Sequence, residues 1–501
     1  MKLFQRTAII WLLLFSFLNT FAVEAAPHTI IQLDNEAITS YLETEMRRHL
    51  LKGMAVAITQ GDEIVLLKGF GSADGGQPVT PQTPFFIGSV SKSFTAMAIM
   101  QLVDRGVVAL DSPVEFYLPW FTTTENKLSS QITIRHLLNQ TSGLSNNSFR
   151  RPRITTHTTL EETVRHLSQA VLTAEPGTQY HYFNPNYNVL AQVIEEMTDS
   201  SFPEYIKKHV FAPLEMKHSF VDIEPAQNSG LAQGHNHFFG FALPRQQPFF
   251  RAELPAGFLI SSAADLAHYM IAQNSAGVFQ QTELISAKAV VTMHTPPEGI
   301  AGNYAMGWIA QNENGLRTIK HNGSLDSFYA DVILLPDHEI GIAVLINQNS
   351  LLPLNFVYEP FARGLVDIVI GHEPSRGLSL RLIYIILNAL VIYDILRHFL
   401  NIKRLSKWKQ SVEKQTKSRQ IQVVFFQNFL MPILLLLTIL VIYIVAGPNA
   451  IRIIFIYLIP DIALWLLISA ALSSITGVLK IKSLAQNHML HQLNSHNTSN
   501  L

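Results

Sequence analysis

The chain of 501 residues contains no cysteine. Neither a disulfide bond nor a metal site built on thiolates can therefore form. The sequence also has no internal repeat and no low-complexity tract, so it does not indicate a repeat array or a disordered linker. These absences fit an exported protein, because a chain without thiols tolerates oxidising surroundings.

The abundant apolar residues are unevenly distributed, with three long runs near the carboxyl terminus: residues 382–400, 423–445 and 453–472. Each run has about 20 residues, enough for a helix to cross the hydrocarbon core of a membrane. The first two runs flank the segment 401–419, which carries seven Lys or Arg against one Glu. Basic loops stay in the cytoplasm. We therefore predict three transmembrane helices, a linker at 371–381, a cytoplasmic loop at 401–422 and a cytoplasmic tail at 473–501.

The amino terminus has the pattern of a secretory signal. Lys2 and Arg6 precede an apolar run from Ala8, and small residues stand at Val23 and Ala25. We predict a signal peptide over residues 1–25, and an uncleaved anchor helix is the alternative. Both interpretations place residues 26–370 outside the membrane, in agreement with the orientation inferred from the basic loop.

The two parts of the chain differ in charge. Residues 371–501 hold 13 Lys and Arg against 4 Asp and Glu, which leaves 23 against 33 in the rest. An acidic exported domain is a poor nucleic-acid binder, so we expect no nucleic-acid partner. Asp394 and Asp461 lie within apolar runs, where a carboxylate can mark a transport pathway. Asp394 is near a helix end and Asp461 has no companion relay, so simple anchoring is the preferred interpretation.

The exported region alternates between strand and helix patterns. Residues 53–72 indicate a β-hairpin, and strand patterns return at 316–323, 328–336 and 340–348. Helical patterns lie between them, at Ser91–Arg105, Thr133–Asn139, Leu160–Leu172 and Asn186–Met197. Strands at both ends with helices in the middle predict an α+β sandwich whose first and last segments share one antiparallel sheet.

A serine and a lysine stand three residues apart in the stretch FFIGSVSKSFTAMAI. If a helix begins here, Lys92 and Ser89 share one face, and a desolvated lysine can serve as the base that activates a serine hydroxyl. A helix start also provides backbone N–H groups that suit an oxyanion. The spacing alone carries little weight, since Ser406/Lys409 and Ser411/Lys414 repeat it within the basic loop.

Two further motifs give the serine and lysine a context. Tyr182, Phe183 and Asn184 directly precede a predicted helix, and His321, Asn322 and Gly323 lie on a predicted strand. Taken singly, Tyr182 is more often a packed aromatic residue, Asn184 a helix cap and His321 a satisfied strand residue. Their order after Ser89 and Lys92 favours a functional set.

With these motifs the sequence resembles the serine β-lactamase and penicillin-binding-protein-like family, closest to its class C β-lactamase and DD-peptidase branch. The resemblance covers nearly all of residues 35–350 and includes ITIRHLLNQTSGL, PGTQYHYFNPNYNVL, PAGFLISSAADLAHYM, YAMGW and HNGSLDSFYADVILLP. It implies a β-lactamase-like antiparallel sheet sandwich with an inserted all-helical region, and an active site between the two.

The resemblance also implies roles for individual residues. Ser89 is the expected nucleophile, Lys92 and Tyr182 are the expected bases, and Asn184 is expected to bind the acyl side of the substrate. A neighbouring cation is expected to lower the pKa of the Tyr182 phenol from about 10. The N–H groups of Ser89 and Ser324 are expected to form the oxyanion hole, with Gly323 leaving room for substrate. Whether Lys92 or Tyr182 deprotonates Ser89 stays open.

One departure from the family concerns His321, because relatives usually carry lysine there. A histidine with an unperturbed pKa near 6.5 is largely neutral at neutral pH, so recognition of a substrate carboxylate is in doubt. We expect poor β-lactam hydrolysis that improves as the pH falls toward 6.

The sequence thus predicts a membrane-anchored extracytoplasmic serine hydrolase that works through an acyl-enzyme without a cofactor or metal. The leading substrates are cell-wall-type D-amino-acid peptides or related amides. The alternatives are an esterase on small acyl esters and a non-enzymatic wall-binding or sensory module.

Overall fold

The computed structural model describes residues 33–149, 154–452, 454–455 and 459–498. The predicted signal peptide lies outside these residues. Within them the strands are β1 (Gly53–Gln60), β2 (Glu63–Asp74), β3 (Gln77–Pro78), β4 (Phe85–Phe86), β5 (His235–Phe238), β6 (Phe241–Pro244), β7 (Ile260–Ser261), β8 (Val278–Phe279), β9 (Thr282–Glu283), β10 (Tyr304–Ala305), β11 (Trp308–Glu313), β12 (Leu316–Ser324), β13 (Tyr329–Leu335) and β14 (Ile340–Ile346).

The α-helices of the extramembrane body are α1 (Asn35–His49), α2 (Ser91–Asp104), α3 (Val114–Tyr117), α4 (Asn126–Ser129), α5 (Ile134–Leu138), α6 (Leu160–Arg165), α7 (Pro185–Thr198), α8 (Phe202–Ile206), α9 (Ile223–Asn228), α10 (Ala263–Asn274), α11 (Ala287–Met293), α12 (Leu351–Phe356) and α13 (Tyr358–Val369). The apolar carboxyl-terminal region adds α14 (Leu380–Lys403), α15 (Leu405–Val412), α16 (Lys417–Val424), α17 (Leu430–Arg452) and α18 (Pro460–Thr498).

One eight-stranded antiparallel sheet, in the order β10-β11-β12-β13-β14-β1-β2-β3, joins the two ends of the body. Met54 pairs with Ile346 and Gln60 with Ile340, which confirms the prediction that the first and last segments share a sheet. Nearly every residue of β1 is buried between its neighbours β2 and β14, with α10 packed against the strand. The predicted α+β class is therefore confirmed.

The hairpin β1–β2 and the helix α2 form where the sequence predicts them. Gly61, with φ of 58°, takes the left-handed turn conformation between the two strands. Helix α2 is apolar on almost all sides and is buried on almost all sides, from Ser91 to Leu102. It packs against α7 in the helical region.

Within the part of the chain that the structure describes, three helices are long and apolar enough to cross a membrane: Leu380–Lys403, Lys417–Val445 and Pro460–Gln486. Helix α18 begins at Pro460, since proline lacks the N–H that an interior helical position needs and is suited to a first turn. The predicted tail from 473 is not a separate segment, because α18 continues to Thr498. The basic segment 401–419 contains α15, and its last residues form the start of α16, which leads into the second span.

Candidate active site

Ser89 lies in a short 3-10 turn, Gly88–Val90, that leads directly into α2. Gly88 has φ of 52°, and a Cβ atom there would lie 2.7 Å from the backbone of Gly323 and Ser324. A Cβ atom on Gly323 would in turn lie 1.9 Å from the Ile87 carbonyl oxygen and 2.8 Å from the Ser89 nitrogen. Glycine at both positions thus lets the chain before Ser89 press against the end of β12.

Lys92 is fully buried one helical turn after Ser89. Its Nζ donates to Ser89 Oγ at 3.1 Å and to the Ala256 carbonyl at 2.5 Å. The same nitrogen lies 4.8 Å from the centre of the Tyr182 ring and 5.8 Å from that of Tyr187. The spacing that was ambiguous in the sequence therefore brings amine and hydroxyl into hydrogen-bond contact.

Tyr182 completes this contact, because its phenol hydrogen-bonds to the Ser89 hydroxyl. The segment that carries it is held by Gln140, a fully buried residue of the NQTSGL motif. The Gln140 side-chain oxygen accepts from the Phe183 N–H at 3.0 Å and from Asn186 Nδ2 at 2.7 Å. The Gln140 carbonyl accepts from the His181 N–H at 2.9 Å. The two quoted motifs thus build one rigid unit.

The expected direction of the Tyr182 pKa shift is wrong. Burial raises the pKa of this phenol above its ordinary value of 10, although the Ser89 hydrogen bond opposes the shift. At neutral pH the Tyr182 phenol therefore carries its proton.

Asn184 stands at the position that precedes α7, but its side chain does not cap the helix. Its Oδ1 is buried and has no hydrogen-bond partner among the described residues. Buried polar atoms are rarely left without a partner, and functional sites are among the exceptions. The Asn184 Oδ1 is one of these exceptions.

His321 is buried beside this group, and its surroundings determine its tautomer. Nδ1 lies 2.6 Å from the Asn322 carbonyl oxygen, which can only accept, so Nδ1 carries the hydrogen. Burial, with a contribution from nearby Lys92, lowers the pKa of His321 to about 3. In the neutral ring Nε2 must then accept, and the Tyr304 hydroxyl donates to it at 3.2 Å. His321 supplies neither a cation nor a free donor to the cleft.

The sequence model of the Beta-lactamase family matches residues 38–363 of the chain. This part of the chain holds all of the groups described above. The chain belongs to the β-lactamase family.

Individual relatives in this family are distant. The protein flp of Staphylococcus aureus strain MW2 is 28% identical over 319 residues, which are 63% of this chain and 63% of that protein. The chain thus spans less than two thirds of the length of this relative. A protein named unguisins hydrolase ungD', from Aspergillus campestris, is 27% identical over 69% of this chain and 67% of its own.

A solved structure supports the fold of the family. The octameric penicillin-binding protein homologue from Pyrococcus abyssi superposes with a TM-score of 0.57 at 28% identity. The match covers 69% of this chain and 79% of that chain.

Two members of this β-lactamase-family site were missed by the sequence reasoning. Tyr304 contacts Tyr182 edge to face, at 5.7 Å between ring centres, and donates to His321. It belongs to the YAMGW motif, so a signal was present. Ala256 contributes its carbonyl oxygen to Lys92. Any residue type has a carbonyl, so only the PAGFLISS motif as a whole could have indicated it.

The site combines a hydroxyl, an amine, a protonated phenol and two neighbouring backbone N–H groups. Such a set can move a proton from Ser89 and stabilise negative charge on an acyl oxygen. Among the described residues, no group of three or more His, Asp or Glu side chains is placed to hold a metal ion.

Proposed function

We propose that the protein is a membrane-anchored serine hydrolase that forms an acyl-enzyme on Ser89. The observation that carries this proposal is the joint contact of Ser89 Oγ with Lys92 Nζ and the Tyr182 phenol. The close approach of Gly88 and Gly323 adds the N–H groups of Ser89 and Ser324 as the candidate oxyanion hole.

In the proposed reaction Lys92 first loses a proton to solvent, and its amine then takes the Ser89 proton as Oγ bonds to the acyl carbon. The raised pKa of Tyr182 favours Lys92 as first acceptor, because a phenol that keeps its proton cannot act as a base. Tyr182 then passes its proton to the leaving group as the acyl bond breaks, and Lys92 returns a proton to Tyr182. In deacylation the Lys92 amine takes the Tyr182 proton as Tyr182 takes one from the attacking water. The Lys92 ammonium then returns a proton to Ser89 Oγ as the acyl bond breaks.

For the substrate we propose D-amino-acid peptides of cell-wall type or related amides, with Asn184 binding the acyl side. The state of His321 supports a second candidate, an esterase on small acyl esters. A neutral His321 whose Nε2 accepts from Tyr304 offers nothing to a substrate carboxylate, and a neutral ester requires no such contact.

We further propose that the catalytic body is extracytoplasmic and that the membrane region is multi-pass. The basic residues of the segment 401–419 support this orientation through the positive-inside rule. The signal pattern at residues 1–25 supports it independently.

Covalent labelling tests the function and separates it from a non-enzymatic wall-binding or sensory role. The full chain in lipid nanodiscs is incubated with an activated neutral ester and with a fluorescent penicillin, and adducts are mapped by mass spectrometry. We expect one adduct on Ser89 and none in Ser89→Ala, a small change at a helix start that leaves the fold intact.

The matched controls are Ser406→Ala and Ser411→Ala, since both serines have a lysine three residues later. Both variants should be labelled like the wild type. An adduct that persists in Ser89→Ala, or that maps to Ser406 or Ser411, would overturn the assignment of the nucleophile.

A further inference from the structure

The hairpin β5–β6 connects the catalytic body to the apolar helices. Its turn residues Phe239 and Gly240 both have positive φ, 51° and 87°, as a two-residue type I′ turn requires. This turn lies against α14, where a Cβ atom on Gly240 would be 3.3 Å from Tyr384 Cβ. The hairpin tip is thus seated on a helix of the membrane region.

Two polar side chains of the apolar helices hold the backbone of the turn. The Phe239 N–H donates to Asp461 Oδ2 at 3.1 Å, and the Phe239 carbonyl accepts from Asn388 Nδ2 at 3.1 Å. Asp461 is 2% exposed, and its contact with Phe239 gives a structural reason for a carboxylate in this apolar helix. The His237 ring also stacks on Tyr384, at 5.8 Å between ring centres.

The other end of β5 contacts the loop that follows β12, the strand that carries His321 and Ser324. Asn236 Nδ2 donates to the Asp326 carbonyl at 2.6 Å and to the Asn349 carbonyl at 2.7 Å. Asn349 Nδ2 donates in turn to Ser324 Oγ and to the Leu325 carbonyl, both at 2.8 Å. Asn236 and Asn349 are both buried, so these hydrogen bonds are shielded from water.

We propose that Asn236 and Asn349 are positioning residues for Ser324 and that Asp461 and Asn388 fix them through the β5–β6 hairpin. The membrane helices then take part in setting the geometry of the oxyanion hole. The catalytic part of this proposal rests on the proposed acyl-enzyme function. A displacement of about 1 Å in a catalytic group can lower a rate by about a hundredfold, so a tie of this kind matters to turnover.

The test uses Asn236→Ala and Asp461→Leu in the full chain in nanodiscs. The controls are Asn228→Ala, an exposed asparagine, and Asp394→Leu, which removes a carboxylate that contacts Arg397 and Trp465 instead of the hairpin. The acylation rate at saturating neutral ester should fall at least about tenfold in Asn236→Ala and less in Asp461→Leu. The half-saturating ester concentration should change much less than the rate, because Asn184 stays in place and the oxyanion hole acts mainly on the transition state.

Hydrogen–deuterium exchange of peptides covering 320–329 provides a readout that is independent of activity. The Leu325 N–H, which donates to the Phe328 carbonyl, should exchange faster in both variants and normally in both controls. If Asn236→Ala changes neither the saturating rate nor this exchange, the positioning role is wrong. If Asp394→Leu has the same effect as Asp461→Leu, the proposed link from Asp461 through the β5–β6 hairpin to Ser324 is wrong. If the wild type forms no adduct, the proposed hydrolase function is wrong. The exchange data still test the link between Asp461 and residues 320–329.

Discussion

At His321 the residue type and its surroundings jointly determine the charge of the site. From the sequence, an unperturbed histidine predicts better carboxylate recognition as the pH falls toward 6. The structure contradicts this expectation, because burial and Lys92 lower the pKa of His321 to about 3. The imidazole therefore stays neutral over the whole range in which the enzyme would be assayed. The burial of His321 depends on Tyr304 and on the surrounding sheet. No local pattern of residues in the sequence reveals this burial.

A lysine at this position tests the role of the missing cation. We expect His321→Lys to raise acylation by a penicillin about tenfold or more relative to a neutral ester, since a hydrogen bond to a charged group contributes about 1.5–3 kcal/mol. In the wild type the ratio of the two acylation rates should be constant from pH 5.5 to 8.5. Lys92 and Tyr182 act on both substrates alike, so their titration cancels in this ratio. A ratio that rises in acid, or that the substitution leaves unchanged, would contradict this view of His321.

Among the site residues, side chains with distinctive chemistry were predictable and backbone groups were not. Ser89, Lys92 and Tyr182 are brought together as their motifs indicated. The Ala256 carbonyl that accepts from Lys92 has no signature in its residue type. The roles assigned to Asn184 and Ser324 remain predictions that the experiments above address.

At the scale of elements, local patterns predicted strands and helices whose partners are near in sequence or whose alternation is strong. Strands β1, β2, β12, β13 and β14 appear where the apolar pattern places them. The hairpin β5–β6 was not predicted. Its sequence HNHFFGFALP mixes polar and aromatic residues without alternation, and its partners are Asn349 and the apolar helices, which are far away along the chain.

Strand β13 contains a buried carboxyl from which we expect a pH-dependent stability. Asp331 lies opposite Asn322 and receives a hydrogen bond from the Tyr329 hydroxyl at 3.2 Å. Burial raises the pKa of Asp331 to about 7. The folded chain then holds a proton here that the unfolded chain has already lost above pH of about 4, so stability falls as the pH rises from about 4 to about 7.

We expect Asp331→Asn to remove this component of the pH dependence. Between pH 4.5 and 7 the free energy of unfolding of the wild type should decline relative to the variant by up to about 1.4 kcal/mol per pH unit. Urea unfolding of the full chain, followed by the fluorescence of the body, measures the difference. Asp337→Asn, in an exposed turn, is the control and should follow the wild type. Parallel curves for wild type and Asp331→Asn would show that this carboxyl does not titrate between those values.

On the scale of the whole molecule, the body and the apolar helices share buried polar contacts as well as a covalent linker. Leu380 and Tyr384 of α14 are buried although most of this helix is exposed. The sequence indicated the membrane helices by their length but could not show that Asp461 contacts a hairpin some 220 residues earlier. Pairing over such a distance depends on the complete fold.

The absence of cysteine allows the proposed orientation to be tested without background labelling. Asn228→Cys places a thiol on the exposed surface of the body, and Ser418→Cys places one on the exposed surface of α16 in the basic segment. A membrane-impermeant maleimide added to intact cells should label Asn228→Cys only, because basic segments remain on the cytoplasmic side. After the cells are opened, both variants should react, which shows that each thiol is accessible. Labelling of Ser418→Cys in intact cells would reverse the orientation and place Ser89 in the cytoplasm, where a wall-derived peptide could not be its substrate.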